Sequence, residues 1–442
     1  MTGVDFATGD GDPAQAMAQI GGLQGSMVRL LLRWDGIAPA TKPASFDARN
    51  PADPAYDWAD VDAEVLAAKD AGLEPVFSIV TAPSWASPAS PAHTQDGPTT
   101  PSISAYANFV TAATKRYSGQ FEGLPRVRYW EAWNEPNISF YLMPQYESGS
   151  PVSFVWYRKM LNAFTRVVHA AAPGNVAIAG ALAPFTVREP GVDAMGPLLF
   201  LRGLLCVSAA GRPTCSTRVA FDALSIHPYT SGNATHRAAN ADDLSLGDLG
   251  KLRPLLAAAD RAHHIVHARP LDTWVSEFSW DSKPPDSKGV PVGLEARWVS
   301  EALYQAWLHG FTHFLWFRLS DLPPSSPFQS GLYYRGKSFD RPKPAANAFR
   351  FPFVAYERAD GTASYWGRVP GAARVTVRIE QAVGKDWRTV ATNRSNANGI
   401  ITGAIASPSR RGFLRAVAGA ATSRPFSLTV PADYPVNPFG NT

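Results

Sequence analysis

What most narrows the fold of this chain is a repeat of texture. Short apolar runs at 4–6, 27–34, 75–80, 126–137, 176–182, 221–229, 271–280 and 311–319 alternate with helical patterns. The helices are expected at 12–22, from Asp57 or Asp60 to Gly72, and at 103–117, 152–172, 244–262 and 294–309, while 185–219 reads as irregular. Runs such as MVRLLLRW and VAIAGAL are apolar almost throughout, as strands covered on both faces must be. Strands and helices repeating in this way predict a parallel sheet closed into an α/β (β/α)8 TIM barrel, enlarged by its loops. A doubly wound open sheet is the weaker reading, because no GxGxxG follows any run.

Beyond Phe353 the texture changes. Runs at 363–369, 374–380, 387–392, 400–405, 413–418 and 426–430 are short, punctuated by Gly, Asn, Ser and Pro, and carry no helical period. They predict a small C-terminal all-β sandwich, with the barrel over 1–351 and the sandwich over 352–442. No Ser/Gly-rich spacer separates the two, so the sandwich should pack directly on the barrel. Trp366 and Trp387 are expected in its core.

Composition removes several function classes. Hydrophobic residues make up 45% and charged residues 18%, as in an ordinary globular protein. The net charge of +4 is not gathered into basic runs, which argues against nucleic acid as a partner. No apolar stretch is long enough for a membrane span. No Cys/His cluster has metal-ligand spacing, and neither metal nor cofactor is expected. His263, His264 and His267 read as surface residues beyond a helix, on the face away from any site. Cys206 and Cys215 are either a disulfide closing a loop or two separate thiols. The disulfide is the expectation, and it suits a secreted or extracytoplasmic protein. The opening MTGVDFATGD lacks a signal-peptide pattern, as a secreted chain without its leader also would.

Chemistry should sit at the C-terminal mouth of the strands. The stretch RVRYWEAWNEPN is a buried run broken by a proline, and it leaves Glu135 at the mouth. Of the 12 glutamates, Glu135 and Glu277 end barrel strands in aromatic surroundings. Their strands, the fourth and seventh, lie nearly opposite in an eight-fold ring. Two carboxylates facing each other in an aromatic cleft suit glycosidic cleavage: one protonates the leaving oxygen, and the other attacks the anomeric carbon or directs water to it. Glu131 shares parity with Glu135, and a structural pairing with Arg29 or Arg33 is expected for it.

The segments WNEPN (133–137), SEFSW (276–280), SIHPY (225–229), VRLLLRW (28–34) and FLWF (314–317) together resemble clan A glycoside hydrolases. Their order is most similar to glycoside hydrolase family 39 and its bacterial relatives. The resemblance covers the barrel and implies retention through a covalent glycosyl-enzyme, without a metal. It implies Glu135 as acid/base, Glu277 as nucleophile and Asn134 as a sugar contact. Arg29, His227, Tyr229 and Trp316 are implied around the nucleophile's subsite, and Trp34, Trp85 and Trp280 are further candidates for substrate contact. The implied partner is a carbohydrate. A transglycosidase using the same two glutamates, or a non-catalytic carbohydrate-binding or export accessory protein, are the alternatives.

Overall fold

The computed structural model describes residues 1–6, 11–87, 100–336, 341–371, 374–406 and 412–436. Its centre is a closed barrel of eight parallel strands: β1 (Thr2–Phe6), β2 (Met27–Arg33), β3 (Glu74–Val80), β4 (Tyr129–Ala132), β5 (Val176–Leu182), β6 (Ala223–Ile226), β7 (Asp272–Val275) and β8 (His313–Phe317). The ring closes where β1 pairs with β8 on one side and β2 on the other. A helix of seven residues or more follows each strand: α1 (Pro13–Gly22), α2 (Ala59–Asp70), α3 (Ile103–Arg116), α4 (Ser153–Ala171), α5 (Pro197–Leu205), α6 (Leu252–Arg261), α7 (Val292–Leu308) and α8 (Pro344–Arg350), with a single further helical turn, Trp34–Ile37, straight after β2.

Local chemistry explains most of these boundaries. Helix α1 has Pro13 in its first turn, where the missing N–H costs nothing, and the Asp12 carboxylate caps Ala14 N at 3.1 Å. Helix α3 starts under a Ser102 cap and ends with Lys115 and Arg116 against the negative end of its dipole. Helix α5 corrects the irregular reading of 185–219. Its sequence PLLFLRGLL is buried on nearly all sides, so it shows no apolar stripe to read. Helix α8 was also not anticipated.

Inside the barrel the period-two alternation of strands builds layers. Met27, Val76, Tyr129, Val176, Ile178, Ala223, Trp274 and Leu315 form an apolar plug at the lower end. Two residues further along their strands, Arg29, Ser78, Glu131 and Ser225 form a buried polar layer above it. The strands are shorter than their apolar runs suggested. The motifs NEP, HPY and SEF therefore lie in turns above the barrel, not on its staves.

The sandwich has a three-stranded antiparallel sheet of β9 (Phe353–Glu357), β10 (Ala363–Arg368) and β13 (Ile400–Ile405), with β10 in the middle. Facing it are β11 (Thr376–Val383), β12 (Asp386–Arg394), β14 (Phe413–Ala418) and β15 (Ala421–Thr422), with β16 (Phe426–Ser427) on β14. The sandwich packs directly on α7. Tyr304 lies 5.8 Å from Tyr356, and the Arg297 guanidinium sits 3.9 Å over Phe426 while donating to the Ser427 carbonyl at 2.7 Å. Trp366 is buried, but Trp387 is only partly covered, under the Arg415 guanidinium at 4.1 Å. His264 is not a surface residue: it is buried, with Nδ1 2.9 Å from the Leu205 carbonyl. His263 is exposed, and His267 meets Asp260 at 3.0 Å. Cys206 and Cys215 are joined in a disulfide. Among the described residues no helix is long and apolar enough to cross a membrane.

In β5, Gly180 holds φ +102°, and a Cβ there would collide with the Ser225 carbonyl oxygen of β6. Gly180→Ala should therefore lower stability by about 2 kcal/mol or more in chemical denaturation.

Candidate active site

The site is assembled on Arg29, which rises from β2 into the polar layer and is 1% exposed. Its Nε donates to Glu131 Oε2 at 2.8 Å, and its Nη2 donates to Ser78 Oγ at 3.0 Å and Asn134 Oδ1 at 2.8 Å. Its Nη1 donates to Glu277 Oε2 at 3.2 Å. Glu131 also accepts from the Ser225 hydroxyl at 2.6 Å. Burial pushes the Glu131 carboxyl pKa up. The Arg29 charge, His227 and the hydrogen bonds from Ser225 and Arg29 outweigh that effect and hold it below the usual range. Glu131 thus pairs with Arg29. Arg33 points outward to Asp35.

Above this layer stand two carboxylates from turns on opposite sides of the ring. Glu135 follows β4 and Glu277 follows β7, with side chains 17% and 14% exposed, so both can be reached from the cleft. One ligand atom from each of Glu135, Glu277 and His227 lies within 4.8 Å of the others. Tyr229 donates its hydroxyl to Glu277 Oε1 at 2.7 Å, opposite the Arg29 contact. His227 Nδ1 is 3.0 Å from Glu135 Oε1 and 3.7 Å from Glu277 Oε2, and its Nε2 is 3.2 Å from Ser276 Oγ. Burial draws the His227 pKa down to about 4; Glu277 opposes this and Arg29 reinforces it. The ring is therefore neutral near pH 7. With the proton on Nδ1 the ring donates to an ionised Glu135 and accepts from Ser276 at Nε2; with the proton on Nε2 it accepts from a protonated Glu135.

The β4 turn holds Glu135 in an unusual backbone. Trp133 and Glu135 have φ of +76° and +38°, a region that non-glycine residues rarely occupy. The turn is pinned by Glu135 N donating to the Ala181 carbonyl at 2.9 Å and by Trp133 Nε1 donating to the Tyr141 carbonyl at 2.7 Å.

The expected site residues separate into two groups. Glu135, Glu277, Asn134, Arg29, His227 and Tyr229 come together. Arg29 and His227 are, however, enclosed beneath the carboxylates, so they position them and do not offer a face to a sugar. The tryptophans need correction. Trp34 turns away from the mouth into the helix layer and is fully buried, 5.3 Å from Phe109 and 6.1 Å from Tyr106. Trp316 is fully buried, with its indole N–H on the Ser330 carbonyl at 2.8 Å. Trp280 is buried against Phe278 and Trp298, with its N–H on the Gly232 carbonyl at 3.0 Å. These three are walls. Trp85 keeps partial exposure beside Lys42. Ser78, Ser225 and Ser276 were not anticipated. For Ser78 and Ser225 the signal was a lone hydroxyl in an apolar strand at the parity of Arg29 and Glu131; Ser276 lies in the turn after β7.

Glu135, His227 and Glu277 are also the trio, among the described residues, spaced to hold a metal ion. The Arg29 guanidinium already supplies a positive charge to Glu277 at that point.

No protein-family model and no curated protein matches the chain. Its fold is shared with solved structures. A family 39 glycoside hydrolase from the gut symbiont Bacteroides cellulosilyticus WH2 aligns with TM-score 0.56 at 16% identity, over 91% of this chain and 80% of that one. A glucosidase from Croceicoccus marinus aligns with TM-score 0.51 at 14% identity, over 96% of each chain. SrfJ from Salmonella typhimurium gives TM-score 0.51 at 10% identity, over 92% of this chain and 89% of that one. The resemblance to clan A glycoside hydrolases therefore holds at the level of the fold.

Two stability outcomes follow from the buried network. Glu131→Ala, which strands the Arg29 charge, should cost about 3–5 kcal/mol in urea unfolding. His227 stays neutral in the folded state down to about pH 4, whereas in the unfolded chain it takes up a proton near its ordinary 6.5. Between those values the unfolded state binds the extra proton, so stability should fall as pH falls through this window. His227→Asn should flatten that part of the stability–pH curve.

Proposed function

We propose that the protein is a retaining glycoside hydrolase that cleaves O-glycosidic bonds of an oligo- or polysaccharide. The observation that carries this reading is the pair of reachable carboxylates, Glu135 and Glu277, whose oxygens approach within 4.8 Å across the barrel mouth. Such closeness suits direct attack by one carboxylate. Inverting enzymes keep their carboxyl groups about 6.5–9.5 Å apart to seat a water between them.

The surroundings support a division of roles. Glu277 meets the Arg29 guanidinium and the Tyr229 hydroxyl, both of which favour a carboxylate, so it is the nucleophile. Glu135 lies against a neutral imidazole, beside which it can hold or release a proton. In the first step Glu135 gives its proton to the leaving oxygen while a Glu277 oxygen bonds to the anomeric carbon. The glycosidic bond breaks and its electron pair stays with the leaving group. In the second step Glu135 takes a proton from water, and that water oxygen displaces Glu277 from the sugar. Asn134, fixed by Arg29 through its Oδ1, has an amide N–H to offer to a sugar hydroxyl. The disulfide supports action outside the cytoplasm.

A screen of aryl glycosides tests the reading. With a turned-over substrate, Glu277→Ala should lose about 10³-fold or more in kcat and should not be trapped by an activated fluoro-sugar that labels the wild type. Glu135→Ala should keep more activity on substrates with good leaving groups and gain rate with azide. Labelling of a carboxylate other than Glu277, or equal loss on all leaving groups without azide rescue, would overturn the assignment.

A further inference from the structure

On the face opposite the carboxylates, the lower ends of the strands and the sandwich line an open cavity of about 1050 Å³. Strand β10 supplies part of its wall. Trp366 and Arg368 are two residues apart on that strand and so share a face. Trp366 is anchored to α7, its ring 5.6 Å from Tyr304 and 5.8 Å from Trp307. That anchoring carries Arg368 under the barrel, where it lines the cavity with Thr2 and His313.

Arg368 is unusual for a guanidinium in this setting. Its Nε and Nη2 are enclosed and have no hydrogen-bond partner, and the Trp366 indole N–H beside it has none either. Burial draws the Arg368 pKa down to about 10, and no carboxylate contributes to its environment, so the side chain stays charged at neutral pH. The guanidinium is a half-buried charge with no carboxylate beside it, and its two enclosed donors without partners carry a desolvation cost. An anion in the cavity would relieve both.

We propose that this cavity is a binding site for a small oxyanion, anchored by Arg368: a phosphate or the carboxylate of an acidic sugar. The planar guanidinium suits two-point contact with either group. The site lies across the barrel from Glu135 and Glu277 and is independent of the hydrolase reading.

Thermal unfolding of the full chain in Tris chloride, at ionic strength matched with NaCl, tests the proposal. Adding 10 mM inorganic phosphate or glucuronate should raise the wild-type Tm by about 2–4 °C and leave Arg368→Met unchanged. A response to phosphate alone, or to glucuronate alone, supports the site and identifies its source. Without either anion, Arg368→Met should melt above the wild type, because it removes the uncompensated charge. Calorimetric titration of the wild type with the active anion should give a single saturable site, a readout that stands even if the variant does not fold. No shift with either anion, an equal shift in Arg368→Met, or a variant that melts below the wild type without anion would overturn the proposal.

Discussion

The structure depends on one buried cation. Arg29 binds groups from β3, from β4 and its turn, and from the β7 turn, all from a single position on β2. A guanidinium in a barrel interior is tolerable only if its N–H groups are satisfied and a carboxylate balances it. Glu131 supplies that balance, and Ser225 completes Glu131. The polar layer is thus closed on its own terms. The contacts to Asn134 and Glu277 reach upward to the turns at the mouth, and through the latter the orientation of a cleft carboxylate is inherited from the core.

The two cleft carboxylates differ in kind because their supports differ in kind. Glu277 sits between a fixed charge and a phenol, both donors. Glu135 sits beside an imidazole that burial keeps neutral, on a turn with two residues at positive φ. The enclosed tryptophans contribute rigidity around this pair: Trp280 and Trp316 each spend their indole N–H on a loop carbonyl and so tie the β6 and β8 loops to the wall.

Much of this was legible in the sequence because barrels write a strong code. Continuous apolar runs such as 176–182, short and repeated between helical patterns, read as strands buried on both faces, and a glutamate left at the end of such a run is conspicuous. Strand parity points Glu131 inward but leaves Arg29 and Arg33 both open as its partner; the structure selects Arg29. The tryptophans misled because an aromatic near a strand end has two destinations, the cleft or the helix layer, and the choice is made by the turn that follows. Trp34 begins a short helical turn, Trp34–Ile37, that swings it outward. Helix α5 and buried His264 escaped for a related reason: amphipathic patterns vanish where an element is covered on all sides, and His264 meets a carbonyl of α5 itself, a contact that sequence distance conceals.

The contacts of Arg29 also span the chain. Its bond to Glu131 crosses 102 residues and its bond to Glu277 crosses 248. No fragment ending before β7 can carry the clamp, and a barrel left open between β1 and β8 has no reason to hold it in place. On the proposed hydrolase reading, catalytic competence is a property of the finished ring, and turnover would then be a sensitive gauge of complete synthesis and correct closure.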